Sequence, residues 1–147
     1  MIQILLQLFQ RDLEKLKTEI SSYRDDKKIW ETSRDVKNSA GNLCLHLCGN
    51  LQHFIGAVLG NSGYIRNRDE EFSRKNVPLK ELVDEIELTA QIVEKNLKEL
   101  KEEELTKTFP INVFGREMTT GYFLVHLTTH LNYHLGQINY HRRLLDI

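Results

Sequence analysis

Proline is nearly absent from this chain, with two in 147 residues. Interior proline breaks helices, so its scarcity leaves room for long uninterrupted ones. Cysteine is equally scarce, and Cys44 and Cys48 lie four apart in one segment. On a helix they share a face, which excludes a disulfide framework stapling a small secreted domain. They read instead as small buried apolar residues. An excess of either charge is also missing: 20 Lys and Arg stand against 21 Asp and Glu. The two signs are interleaved and read as solvated helix faces, not as a grip on nucleic acid. No apolar run reaches the roughly 20 residues that span a bilayer. The opening MIQILLQLFQRDLEK has no basic stretch before its apolar residues, and Gln3, Gln7 and Gln10 interrupt it. It therefore does not read as a signal peptide. These absences lead us to expect a cytoplasmic protein with neither a nucleic-acid nor a membrane partner.

What is present is helical periodicity. Ile2, Leu5, Leu6, Phe9, Leu13, Leu16 and Ile20 recur at three- and four-residue steps and predict a first helix over about residues 2–24. A polar connection, Asp25 to Lys28, leads to Trp30, expected as a core anchor outside regular structure. A second helix is predicted from about Ser39 to Leu59, apolar on almost every side, with Ser33 or Asn38 as its cap. Gly60 to Gly63 end it, and residues 63–77 read as a loop. Pro78 suits the first turn of a third helix over about residues 79–103. Its inward stripe is Leu82, Ile86, Ala90, Val93, Leu97 and Leu100. Phe109 to Thr120 breaks the helical period around Gly115 and reads as a short irregular or hairpin-like segment. A fourth helix, capped by Thr119 or Thr120, runs to about Leu145. With no repeat or linker, residues 1–147 are expected to form one domain, an all-α four-helix bundle.

Four of the six histidines, His126, His130, His134 and His141, fall in the last helix. At 100° per residue they span only about 80° of the helix surface, so they form one stripe. Neighbours four apart are about 6 Å apart along the axis. With nitrogen–metal bonds near 2.1 Å, only such an adjacent pair can share an ion. The pair is either His126 with His130 or His130 with His134. His141 lies about 10 Å beyond His134 and joins neither. A third donor must come from another helix, and His46 and His53 are the candidates. Cys44 and Cys48 point away from His46, so a mixed thiolate–imidazole site is not expected. The chain has no Glu-x-x-His pair for a carboxylate-bridged di-iron bundle, and no His-Glu-x-x-His of a zincin. The competing reading is a set of hydrogen-bonded core histidines. Several imidazoles buried without partners are costly, however, and one shared ion removes that cost.

The combination of HLCGN (His46 to Asn50) with HLTTHLNYHLGQI (His126 to Ile138) resembles the DinB/YfiT-like superfamily of four-helix metal-binding bundles. The segment Arg66 to Phe72 is similar to a branch of unknown function, and the likeness runs over essentially the whole chain, including Trp30 and Asn38-Ser39. The resemblance implies one divalent metal, nickel or zinc, held by His46, His130 and His134. It places His126 outside the ligand set, as a general base, a substrate contact or a packed histidine, and leaves His53 and His141 as bystanders. It suggests that Asn50 and Gln137 orient a ligand or a water, and that the chain forms a homodimer. Three neutral imidazoles leave an ion its charge and an open position. The implied activity is a metal-dependent transferase or isomerase that uses a low-molecular-weight thiol cofactor on small electrophilic substrates. A metal-dependent hydrolase and a non-catalytic bundle that binds metal or a small ligand are the alternatives.

Overall fold

The computed structural model describes all 147 residues, Met1 to Ile147. It is all-α, with five α-helices and no strand. Helix α1 covers Ile2–Ser21 and fully buries Leu5, Leu6, Phe9, Leu13, Leu16 and Ile20, the stripe its periodicity predicts. Burial of such a side chain contributes about 1.5–3 kcal/mol against the entropy of ordering the chain. The helix stops three residues earlier than expected. A 3-10 turn then spans Asp26–Trp30, and Asp25 caps it by accepting from the Lys27 N–H at 3.0 Å. Trp30 therefore lies inside a helical turn rather than outside regular structure. Its ring lies where a Cβ on Gly41 would come within 2.6–2.7 Å of three ring carbons, so glycine is required at that crossing.

Helix α2 spans Ala40–Leu51, and every one of its residues is buried. Its cap is Ser39, whose hydroxyl accepts from the Asn42 N–H at 3.2 Å, rather than Ser33 or Asn38. The helix continues as a π-helical segment over Gln52–Leu59. The expected loop after it holds a short helix, α3, over Arg68–Ser73. Asn67 caps α3 by accepting from the Glu70 N–H, and Asp69, Glu70 and Glu71 fill the first turn, where the helix dipole favours negative charge.

Helix α4 spans Leu79–Glu99 behind Pro78 and buries Leu82, Ile86, Thr89, Val93 and Leu97. It ends before the predicted residue 103 because Leu100 is extended. A separate 3-10 turn, Glu102–Thr106, follows and buries Leu105. The segment before the last helix is irregular. It is closed by one antiparallel bridge, Thr108 with Thr119, and turns where Gly115 takes a φ of 72°. Helix α5 spans Thr120–Leu145, with Thr119 as its cap.

Helices α1 and α2 each pack against both α4 and α5, which gives a bundle of four long helices in the spatial order α1, α4, α2, α5. Polar ties fix α5 on α1. Asn139 and Arg142 both donate to Glu19, at 2.6 and 2.7 Å, and Asn132 donates to the buried Asp12 at 3.2 Å. This packing sets the inner face of α2 against the histidine stripe of α5. No helix of the chain is long and apolar enough to cross a membrane.

Candidate metal centre

His46, on the all-buried α2, faces His130 and His134 on α5, and one donor nitrogen from each lies within 4.8 Å of the others. The Nε2 atoms of His46 and His130 are 3.2 Å apart. Two donors on a tetrahedral ion, with bonds near 2.05 Å, are separated by about 3.3 Å. The spacing between the two helices is thus already that of a shared ion. The ring of His134 stands at right angles to those of both partners, with centroids 5.3 Å from His46 and 4.6 Å from His130.

Two of the three tautomers follow from the partners. His46 Nδ1 lies 3.0 Å from Glu71 Oε1. An ionised carboxylate only accepts, so Nδ1 carries the proton and Nε2 presents its lone pair. The 3.4 Å approach of Arg66 Nη2 to the same Nδ1 is then a contact between two donors and not a hydrogen bond. His134 Nδ1 donates to Gln137 Oε1 at 2.7 Å, which likewise leaves its Nε2 free. His130 Nδ1 is buried without a partner.

The charges support the same reading. Burial, reinforced by His134, His46 and His126, pushes His130 down to a pKa of about 3. Burial also lowers His134, although the Gln137 bond opposes it. Both are therefore neutral ligand-type imidazoles at neutral pH. Burial works against ionisation of Glu71, yet the hydrogen bonds from His46 and Arg66 and the guanidinium charge outweigh it and hold its carboxyl below the usual range. Arg66 grips Glu71 with two arms, Nε to Oε2 and Nη2 to Oε1, each at 2.8 Å. A carboxylate that fixes the ring of a ligating histidine is a recurrent support of metal sites. Its seat is made by Gly49, because a Cβ there would meet the Glu71 Cδ at 2.7 Å. Neutral rings, tautomers and spacing all fit a divalent ion.

The other sequence candidates separate cleanly. His126 lies one turn outside the three. Its ring packs on Phe114 and Phe123, with centroids 4.8 and 5.7 Å away, and burial lowers its pKa. His53 stands two turns along from His46 and packs on Phe54, its Nδ1 buried and unpartnered. His141 is buried, with Tyr23 Oη 2.7 Å from Nδ1 and the Glu31 carbonyl accepting from Nε2 at 2.8 Å, which makes it a structural tie. Asn50 is buried with its Oδ1 unpartnered. Cys44 and Cys48 are free and buried, and their mutual hydrogen bond together with burial raises the Cys44 thiol well above its usual pKa. Glu71 and Arg66 were not among the expected site residues. The available signal was local: an Asn cap followed by three consecutive acids marks a helix start.

The model of one protein family, a protein of unknown function (DUF1572), matches residues 3–146. The chain belongs to the DUF1572 family. No curated protein matches the chain. The family description assigns no activity.

Proposed function

We propose that this DUF1572 chain is a single metal-binding domain of the DinB/YfiT-like type, with His46, His130 and His134 as ligands of one nickel or zinc ion. The observation that carries the reading is the convergence of three imidazoles from two helices, with two of the Nε2 lone pairs fixed by hydrogen bonds on the far side of the ring. The bound ion supplies Lewis acidity, which lowers the pKa of a bound thiol or water. The activity we assign is transfer of a low-molecular-weight thiol to a small electrophile. His126 serves as the proton acceptor, because burial keeps its ring neutral and its centroid lies 6.1 Å from that of His130. Gln137 and Glu71 hold their histidines in one tautomer, and Asn50 offers its unpartnered carbonyl oxygen one turn from His46. A homodimer belongs to the same proposal, with the exposed Tyr122, Val125 and Tyr133 of α5 as its apolar stripe.

A second reading is reversible, non-catalytic metal binding. It draws on the 3.2 Å contact, since an Nε2–H on His130 can donate to His46 Nε2 and satisfy the cluster without an ion. Elemental analysis of the purified protein tests the metal centre. We expect about one divalent ion per chain, lost in His130→Ala and His134→Ala and kept in His126→Ala. Metal that survives His134→Ala and disappears in His126→Ala overturns the ligand set. A screen of metal-loaded protein with glutathione, bacillithiol and similar thiols against electrophiles separates the two readings, because only the transferase turns over.

A further inference from the structure

A cavity of about 900 Å³ opens between the loop before α2 and the C-terminal half of α5. Its volume lies in the range of small-molecule sites. Two of its wall residues join it to the histidine cluster. Leu43 precedes His46 by three residues on α2, and Gln137, which accepts from His134, follows that histidine by three on α5. Each is one helical turn, about 5 Å, from a histidine of the cluster. The cavity therefore begins where the cluster ends and runs away from it along both helices.

The far end differs in character from the near end. Val36, Tyr140, Leu144 and Leu145 supply apolar walls there, and the loop adds Arg34 and Lys37 against the single acid Asp35. Lys28 nearby is paired with Glu31 at 3.1 Å, whereas neither Arg34 nor Lys37 takes part in an ion pair. Arg34 is held at a φ of 53°, a conformation rarely taken by a residue with a side chain, in a turn closed by the Val36 N–H donating to the Ser33 carbonyl at 3.0 Å. A ligand-sized apolar space whose mouth carries one positive charge in excess selects an apolar body bearing one negative charge.

We propose that this cavity binds a small organic anion with an apolar chain or ring. The anionic group meets Arg34 and Lys37, the apolar body lies along Leu43 and Leu144, and the opposite end approaches Gln137. The proposal deepens the metal reading by naming the substrate class, and rests on it only for the direction in which the reacting end points.

The test is a titration of the full-length protein with octanoate, followed by amide chemical shifts, with 1-octanol and octylamine as controls. We expect saturable shifts at Val36, Leu43, Tyr140 and Leu144 at millimolar concentration or below. Octanol should bind at least about tenfold more weakly, which is about 1.4 kcal/mol, and octylamine should leave these amides unmoved. Arg34→Glu combined with Lys37→Glu should abolish octanoate binding and admit octylamine. Both residues are exposed, so the fold is not at stake. Octanol binding as tightly as octanoate, shifts located elsewhere, or no saturable shift overturns the proposal. Repeating the titration on His134→Ala separates the two readings. Shifts that persist there support the cavity whatever the metal content proves to be. Shifts lost in that variant while it remains folded show that the carboxylate sat on the metal, and overturn the cavity assignment.

Discussion

Glu71→Gln probes the support of the histidine cluster with almost no change of shape. In the native chain one carboxylate accepts three hydrogen bonds, from His46 Nδ1 at 3.0 Å and from two arms of Arg66 at 2.8 Å. The amide offers one oxygen and one NH2 group. If the oxygen stays on the His46 side, the NH2 faces Arg66 Nε, and if it turns, the NH2 faces His46 Nδ1. Either way at least one donor meets a donor, and a guanidinium with only 12% of its side-chain surface exposed loses its counter-charge. Charge-assisted hydrogen bonds are worth about 1.5–3 kcal/mol each, and breaking a buried pair costs about 3–5 kcal/mol. With Arg66 retaining some solvent, we expect a loss of about 3 kcal/mol in urea unfolding. Freed from its carboxylate, the His46 ring also loses its fixed tautomer. Removing such a support lowers metal affinity about 10–100-fold, or about 1.4–2.7 kcal/mol. Zinc affinity measured by chelator competition on the folded variant reads this effect. Affinity within about twofold of the native value, in a protein with native circular dichroism, refutes the reasoning.

Three other perturbations follow from named contacts. Gly49→Ala should displace the Glu71 carboxylate and weaken zinc binding about tenfold, although alanine favours the helix by up to about 1 kcal/mol. In a double-mutant cycle with Glu71→Gln the two losses should not add, and full additivity would show that Gly49 acts by another route. Gly41→Ala drives a Cβ into the ring of the sole tryptophan, so we expect a loss of about 1–3 kcal/mol and a red-shifted Trp30 emission, and unchanged emission contradicts the crossing described above. The metal-free protein should lose stability between pH 7 and pH 5. His130 titrates near 6.5 when unfolded but only at about 3 when folded, so below 6.5 the unfolded chain binds a proton that the folded chain refuses. His134 and His126 are shifted in the same direction, and a urea midpoint that rises on acidification counts against all three.

Helices α1 and α4 were readable because each carries a sustained apolar stripe. Leu82, Ile86, Val93 and Leu97 of α4 are buried as their spacing predicts, and the stripe of α1 holds from Leu5 to Ile20. The ends were less readable, since Ser33, Asn38 and Ser39 are all able to cap and only the packing of Ser39 against Asn42 selects among them. The π-helical turn of Gln52–Leu59 has no periodic signature of its own. Helix α3 was missed because six residues are too few to show a period of 3.6. With it went Glu71, whose partner His46 is 25 residues away in the chain. Helix arithmetic restricted the α5 histidines to an adjacent pair but did not choose between the two. The choice depends on which of them α2 meets, and that is a property of the assembled bundle. His126 is diverted by Phe114, a residue of the irregular segment that no periodicity places.

The shortest helix of the fold is coupled to its most buried one. Asn42 of α2 donates to the Glu71 and Arg74 carbonyls at 3.0 and 2.8 Å, and Glu71 returns the tie through His46. Seating α3 and fixing the His46 ring are therefore a single equilibrium seen from two sides. Thermodynamic linkage makes the influence reciprocal: whatever is captured by the fixed form of His46 holds α3 in place by the same free energy, and whatever pulls α3 away loosens that capture. In this way a helix of six residues, most of them exposed, can report, through the exchange rate of its amides, on events at the centre of the bundle.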